Sequence, residues 1–160
     1  MKQASSLGAR GRAIGVHGSV YNSWFVVGDV ETGQTLFEYR INYPHGEITI
    51  TGDGTLAAFT DPGTASFGEV GIPYVVDLGT YRVTKAPYYP DPMPIRGSQV
   101  RFLPGDHRIV LAPAIVSVGD TGPVQVIDAA TMTLQKTIWP IPADSLTGEW
   151  VSALGIGPRP

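Results

Sequence analysis

Residues 123–139 read PVQVIDAATMTLQKTIW. Two runs rich in β-branched residues flank a short polar turn, the pattern of a hairpin. Asp128 opens the turn and Thr131 lies three residues on. The same grammar occurs twice earlier, in residues 23–43 (SWFVVGDVETGQTLFEYRINY) and 72–89 (IPYVVDLGTYRVTKAPYY). Asp29, Asp77 and Asp128 therefore recur about every 50 residues, each followed at the same offset by Thr32, Thr80 or Thr131. Two further series keep phase with them. Gly11, Gly54 and Asp106 precede the strand-like runs RAIGVH, LAAF and IVLA. Tyr43-Pro44, Tyr89-Pro90 and Trp139-Pro140 follow the last run of each unit.

The reason for an Asp followed by Thr is local. An Asp side chain at the first turn position accepts a bond from a backbone N–H further along, and Thr adds its hydroxyl. The six residues Asp29, Thr32, Asp77, Thr80, Asp128 and Thr131 are thus expected to set hairpin register rather than to do chemistry.

The rest of the chain agrees with an all-β reading. It has 160 residues, enough for one domain with its own core. The 20 Gly and 14 Pro are scattered between short apolar runs, which reads as many turns. Strand-like runs begin near Arg12, Trp24 and Leu36 in the first unit, near Glu47, Leu56, Tyr74 and Tyr81 in the second, and near Gln99, Ile109, Val124 and Leu134 in the third. No long window carries a helical stripe. A short helix over 143–150 is the one candidate, capped by Asp144 or Ser145.

Four short strands per unit at this period is the spacing of a propeller blade. The units are expected at about 10–42, 46–89 and 97–140, with 148–155 as an extra inner strand. Val75-Val76-Asp77 with Thr80, and Val126-Ile127-Asp128 with Thr131, resemble the YVTN-type and WD-repeat-like propellers, where a hydrophobic strand ends in Asp and a D-x-x-T turn follows. Thr51-Gly52-Asp53-Gly54-Thr55-Leu56-Ala57 resembles the SPDG-x-x-LA turn of the same group. The resemblance runs from about residue 10 to 150. It implies an all-β, β-propeller-like array of about three four-stranded antiparallel blades. Three blades do not close a ring of the usual four to eight. The implied partner is another copy of the chain, or the remainder of a larger propeller. In a ring of two copies, residues 149–154 of one are expected to complete the first blade of the other, which shows no obvious inner strand.

Composition narrows function by exclusion. The net charge of −3, with no run of Lys or Arg, leaves no footprint for nucleic acid or for an anionic membrane surface. Cysteine is absent, so disulfides and thiolate metal sites are excluded. No apolar run approaches the roughly 18 residues of a membrane span. The opening MKQASSLGARGRAIG lacks the apolar core of a signal peptide, which reads as cytoplasmic by default, or extracytoplasmic if a leader was removed.

The connecting segments between units concentrate Tyr43, His45, Tyr88, Tyr89, Asp91, Trp139, Asp144 and Trp150. Rings beside carboxylates suit sugars, cationic peptides or amines. The plainer alternative is that each aromatic-Pro pair caps its own unit. His17, His45 and His107 fall in a strand, a connecting segment and a turn of the opposite end, so no metal site of converging histidines is expected; His45 with a carboxylate such as Glu47 or Asp91 stays open. No G-x-S-x-G, P-loop or H-E-x-x-H motif occurs. The expectation is a non-catalytic module for binding or scaffolding, without cofactor, whose ligand is a protein, peptide or carbohydrate. Two alternatives stand beside it. One is part of a lactonase- or dehydrogenase-like propeller enzyme. The other is a structural protein of a surface layer or virion.

Overall fold

A computed structural model describes residues 3–8, 11–19, 22–41, 48–61, 71–86, 99–112 and 124–138. Among these residues, twelve strands form three four-stranded sheets, each a simple antiparallel meander. The first sheet holds β1 (Gln3–Gly8), β2 (Arg12–Ser19), β3 (Asn22–Asp29) and β4 (Thr35–Ile41). The second holds β5 (Ile48–Ile50), β6 (Leu56–Asp61), β7 (Ile72–Asp77) and β8 (Val83–Lys85). The third holds β9 (Gln99–Phe102), β10 (Arg108–Ala112), β11 (Val124–Asp128) and β12 (Thr133–Ile138). Among the described residues there is no helix. The helix candidate over 143–150 and the extra strand over 148–155 lie outside them.

The sheets stack face to face, and strand alternation decides which residue meets which neighbour. Ala57, Phe59, Tyr74, Val76 and Leu78 of the second sheet cluster with Ile14, Val16, Phe25, Val27 and Ile41 of the first. The residues between them, Ala58 and Val75, turn the other way and cluster with Val100, Ile109, Leu111, Ile127 and Met132 of the third. The second sheet is therefore apolar on both faces, which explains why four consecutive residues of β7, Pro73 to Val76, are buried. In β3, burial alternates instead. The first strands of the sheets lie side by side, β5 against both β1 and β9. The last strands β4 and β12 carry exposed Glu38, Arg40 and Lys136, charges that discourage strand addition at an open edge.

Two expectations need correction. The first sheet does not start near residue 10 with three strands. Residues Gln3–Gly8 pair with β2, through a register shift between Ala4 and Leu7, and take the inner place that residues 149–154 of another copy were expected to fill. Serine-rich QASSLG carries no strand pattern of its own, and the unpaired edge of β2 supplies the hydrogen bonds that make it one. Tyr81, read as the start of a strand, instead ends a turn with φ of 58°, and β8 begins only at Val83.

Phe59 is stacked between two other rings in the core. Its ring lies 4.8 Å from Phe25 on one side and 5.1 Å from Tyr74 on the other, and the residue is 1% exposed. Phe59→Ala is expected to cost about 3–5 kcal/mol in urea denaturation, since the cavity would open between two sheets. Glu38→Ala on β4 should stay within about 0.5 kcal/mol.

Candidate functional site

The three Asp-x-x-Thr turns have one geometry. Asp29 Oδ1 accepts the backbone N–H groups of Glu31 and Thr32 at 3.0 and 2.8 Å. Asp77 Oδ1 does the same for Gly79 and Thr80 at 2.8 and 2.9 Å, and Asp128 Oδ1 for Ala130 and Thr131 at 3.0 and 2.8 Å. The Thr32 and Thr131 hydroxyls donate to the same oxygens. Each Asp carbonyl then accepts the N–H of the fifth residue, Gly33, Tyr81 or Met132. That residue is left-handed in all three turns, at φ of 69°, 58° and 55°. Glycine adopts this readily, whereas a side chain there is strained by about 1 kcal/mol or more. Met132 is nonetheless 2% exposed within the cluster between the second and third sheets, and Tyr81 stacks on Phe37 of the first sheet at 5.2 Å. The strain is offset by contact between sheets. This fifth position was missed from sequence; Gly33 was its one visible signal.

All three turns lie at one end of the stack. Arg12, at the start of β2, donates from Nη1 to the Leu78 carbonyl in the second sheet's turn, and its guanidinium sits 5.7 Å from the Tyr81 ring. Between the second and third sheets, His107 Nε2 lies 3.6 Å from Asp53 Oδ2. Thr55 donates both its N–H and its hydroxyl to Asp53 Oδ1, at 3.0 and 2.8 Å. The Thr51 and Thr55 side chains hold the Asp53 carboxyl well below the usual range. Asp106 is similarly lowered, first by its bond from Arg108. A groove of about 370 Å³ opens here, lined by Asp53, Thr55, Leu56, Val75, Asp77, Arg82, Thr84, His107, Ala129 and Ala130. Nothing in the sequence had joined these residues.

The eight residues expected to form a ligand face, Tyr43, His45, Tyr88, Tyr89, Asp91, Trp139, Asp144 and Trp150, all lie outside the described residues. The strands that lead to them are described. β4 ends at Ile41 opposite Ser23, and β12 ends at Ile138 opposite Val124, both away from the Asp turns. Of the histidines, His17 is in β2 and His107 in the β9–β10 turn, while His45 lies outside the described residues. Among the described residues no three His, Asp or Glu side chains gather as a metal set.

No protein-family model matches the sequence, and no curated protein matches it significantly. Solved structures do. The chain aligns with Kuenenia stuttgartiensis hydrazine synthase at a TM-score of 0.57 and 14% identity, covering 81% of this chain and 33% of that one. It aligns with the β-propeller domain of the Trilobed protease from Pyrococcus furiosus at 0.54 and 12%, covering 88% and 44%. It aligns with a chain of a nidogen/laminin complex at 0.55 and 14%, covering 82% and 44%. The fold is that of a β-propeller. Each four-stranded sheet is a blade, and the chain spans less than half the length of these structures. At such identities the likeness concerns fold alone.

The turn carboxylates make a pH dependence. Asp29, Asp77 and Asp128 are each held below the ordinary carboxylate value, first by the N–H of the Thr three residues on. A carboxyl depressed in the folded state stabilises it above the unfolded value and loses that contribution as pH falls through the folded one. The urea midpoint is therefore expected to drop as pH falls through and below the ordinary carboxylate range, about pH 4. Replacing all three with Asn should flatten that part of the curve, which denaturation at several pH values checks.

Proposed function

We propose that this chain is a non-catalytic propeller module for binding or scaffolding, with a protein, peptide or carbohydrate ligand at the end opposite the Asp turns. The observation that carries this reading is where the last strands stop. Each meander runs four antiparallel strands, so β4, β8 and β12 all hand the chain on away from the turns. The segments they lead into hold Tyr43, His45, Tyr88, Tyr89, Asp91, Trp139, Asp144 and Trp150. Aromatic faces beside carboxylates bind sugar rings and cationic groups. The D-x-x-T turns fit best with the YVTN-type and WD-repeat-like propellers.

We further propose that a second copy supplies neighbouring blades, giving about six in a ring. The exposed flank of the first blade supports this. Val30 follows Asp29 as Leu78 follows Asp77 and Ala129 follows Asp128. Leu78 and Ala129 are 2% and 1% exposed beneath the preceding blade, whereas Val30 is 49% exposed. Trp24 and Val26 on the same face are only half-buried.

Calorimetric titration against a panel of oligosaccharides and Lys- or Arg-bearing peptides tests the ligand face. Trp139→Ala and Tyr89→Ala are expected to weaken binding about tenfold or more. No binding across the panel, or binding indifferent to both changes, ends this reading. Light scattering should give the mass of two chains, and a stable monomer ends the assembly proposal.

A further inference from the structure

The two inter-blade junctions at the turn end are built on the same positions with different residues. Cross-strand register makes the comparison. Arg12 lies opposite Asp29 as Leu56 lies opposite Asp77. Phe37 lies opposite Val27 as Thr84 lies opposite Val75. Tyr81 and Met132 are the left-handed residues of the turns that close each junction from the other side, and Leu78 and Ala129 are the residues following the turn Asp.

At the first junction the four positions are Arg12, Phe37, Tyr81 and Leu78. They fill the space completely enough that Phe37 and Tyr81 stack, with interplanar angle 8°, and Arg12 lies on the Tyr81 ring with its Nη1 on the Leu78 carbonyl. At the second junction the same positions are Leu56, Thr84, Met132 and Ala129. Each is smaller than its counterpart, and all four changes remove volume from one place. The groove of about 370 Å³ is what they leave, with Leu56, Thr84 and Ala129 in its lining. The first junction thus shows what this geometry holds when full: a guanidinium lying over an apolar surface, with a backbone carbonyl of the next blade as acceptor.

The rim adds charge of the matching sign. Asp53 and Asp77 both line the groove, and both carboxyls are held ionised by turn hydrogen bonds that use their Oδ1 atoms. Asp53 Oδ2 lies 3.6 Å from His107 Nε2, and the charge of Arg82 acts on Asp77. An incoming cation competes with these two groups, which are exposed and bound loosely by water-screened attraction. Leu56 and Val75 give the floor an apolar stretch suited to the methylene stem that accompanies a guanidinium.

We propose that this groove between the second and third blades is a binding site for a guanidinium group, presented by an arginine side chain of a peptide or by a small guanidinium compound. It lies at the opposite end of the blades from where β4, β8 and β12 stop, and it does not depend on the aromatic segments.

The test uses the full chain and three probes: ethylguanidinium, N-acetyl-arginine methylamide and, as the uncharged isostere, ethylurea. Amide chemical shifts in two-dimensional NMR are followed through each titration. Both cationic probes are expected to move the amides of Thr84, His107, Ala129 and Ala130 with saturation, and ethylurea at least tenfold more weakly. If the blocked arginine binds more tightly than ethylguanidinium, the groove reads a peptide; equal binding means it reads the guanidinium alone. Thr84→Phe restores the ring found at the first junction and should abolish the shifts. Leu56→Arg places a guanidinium in the groove from within and should do the same, which keeps the test decisive if the first variant fails to fold. Asp53→Asn should weaken both cations about tenfold, while Glu38→Ala on β4 leaves them unchanged. Equal response to ethylurea, or shifts that survive both Leu56→Arg and Asp53→Asn, overturns the proposal.

Discussion

One carboxylate oxygen per blade, accepting two backbone N–H groups, controls more of this structure than any other contact. Asp29, Asp77 and Asp128 each fold the chain so that the fifth turn residue is left-handed. That closes the hairpin between the third and fourth strands and sets their register. It also aims the fifth side chain out of its own blade. Met132 and Tyr81 reach the neighbouring blade because of it. A local bond thereby decides a tertiary contact, and the strain of a side chain in this region is balanced by burial.

The second blade carries the stack. Its strands alternate at period two between two apolar faces, so Phe59 and Val76 serve one core and Ala58 and Val75 the other. Both cores are mostly aliphatic and lie within the sheets. The core between the first and second blades also holds the stacked rings of Phe25, Phe59 and Tyr74, while the two junctions lie at the blade ends. There the two junctions diverge: Arg12, Phe37 and Tyr81 close one, while Leu56, Thr84 and Met132 leave the other open. A propeller can open a groove this way, by having smaller residues at one junction without disturbing the hydrogen-bonded ladders.

The last strands β4, β8 and β12 stop at the end of the blades opposite the groove. The antiparallel meander separates them, because odd and even connections emerge on opposite sides. On the outer flank of the first blade Val30 is exposed, at a position buried in both other blades.

The sequence by itself determined the repeat, the strand content and the turns, because these follow from interactions between residues a few positions apart. Asp and Thr at a fixed offset, and β-branched runs on either side, are legible without knowing what lies nearby. Gln3–Gly8 was not legible, since its strand exists through the edge of β2 rather than through its own residues. The left-handed Tyr81 and Met132 were hidden for a related reason: their conformation is tolerable only against a neighbouring blade. The groove was least visible. Asp53, Asp77, Thr84, His107 and Ala129 come from different hairpins, and it takes the stacking of one blade on another to bring them together. Only tertiary structure decided that, because the space between two sheets belongs to neither sequence segment alone.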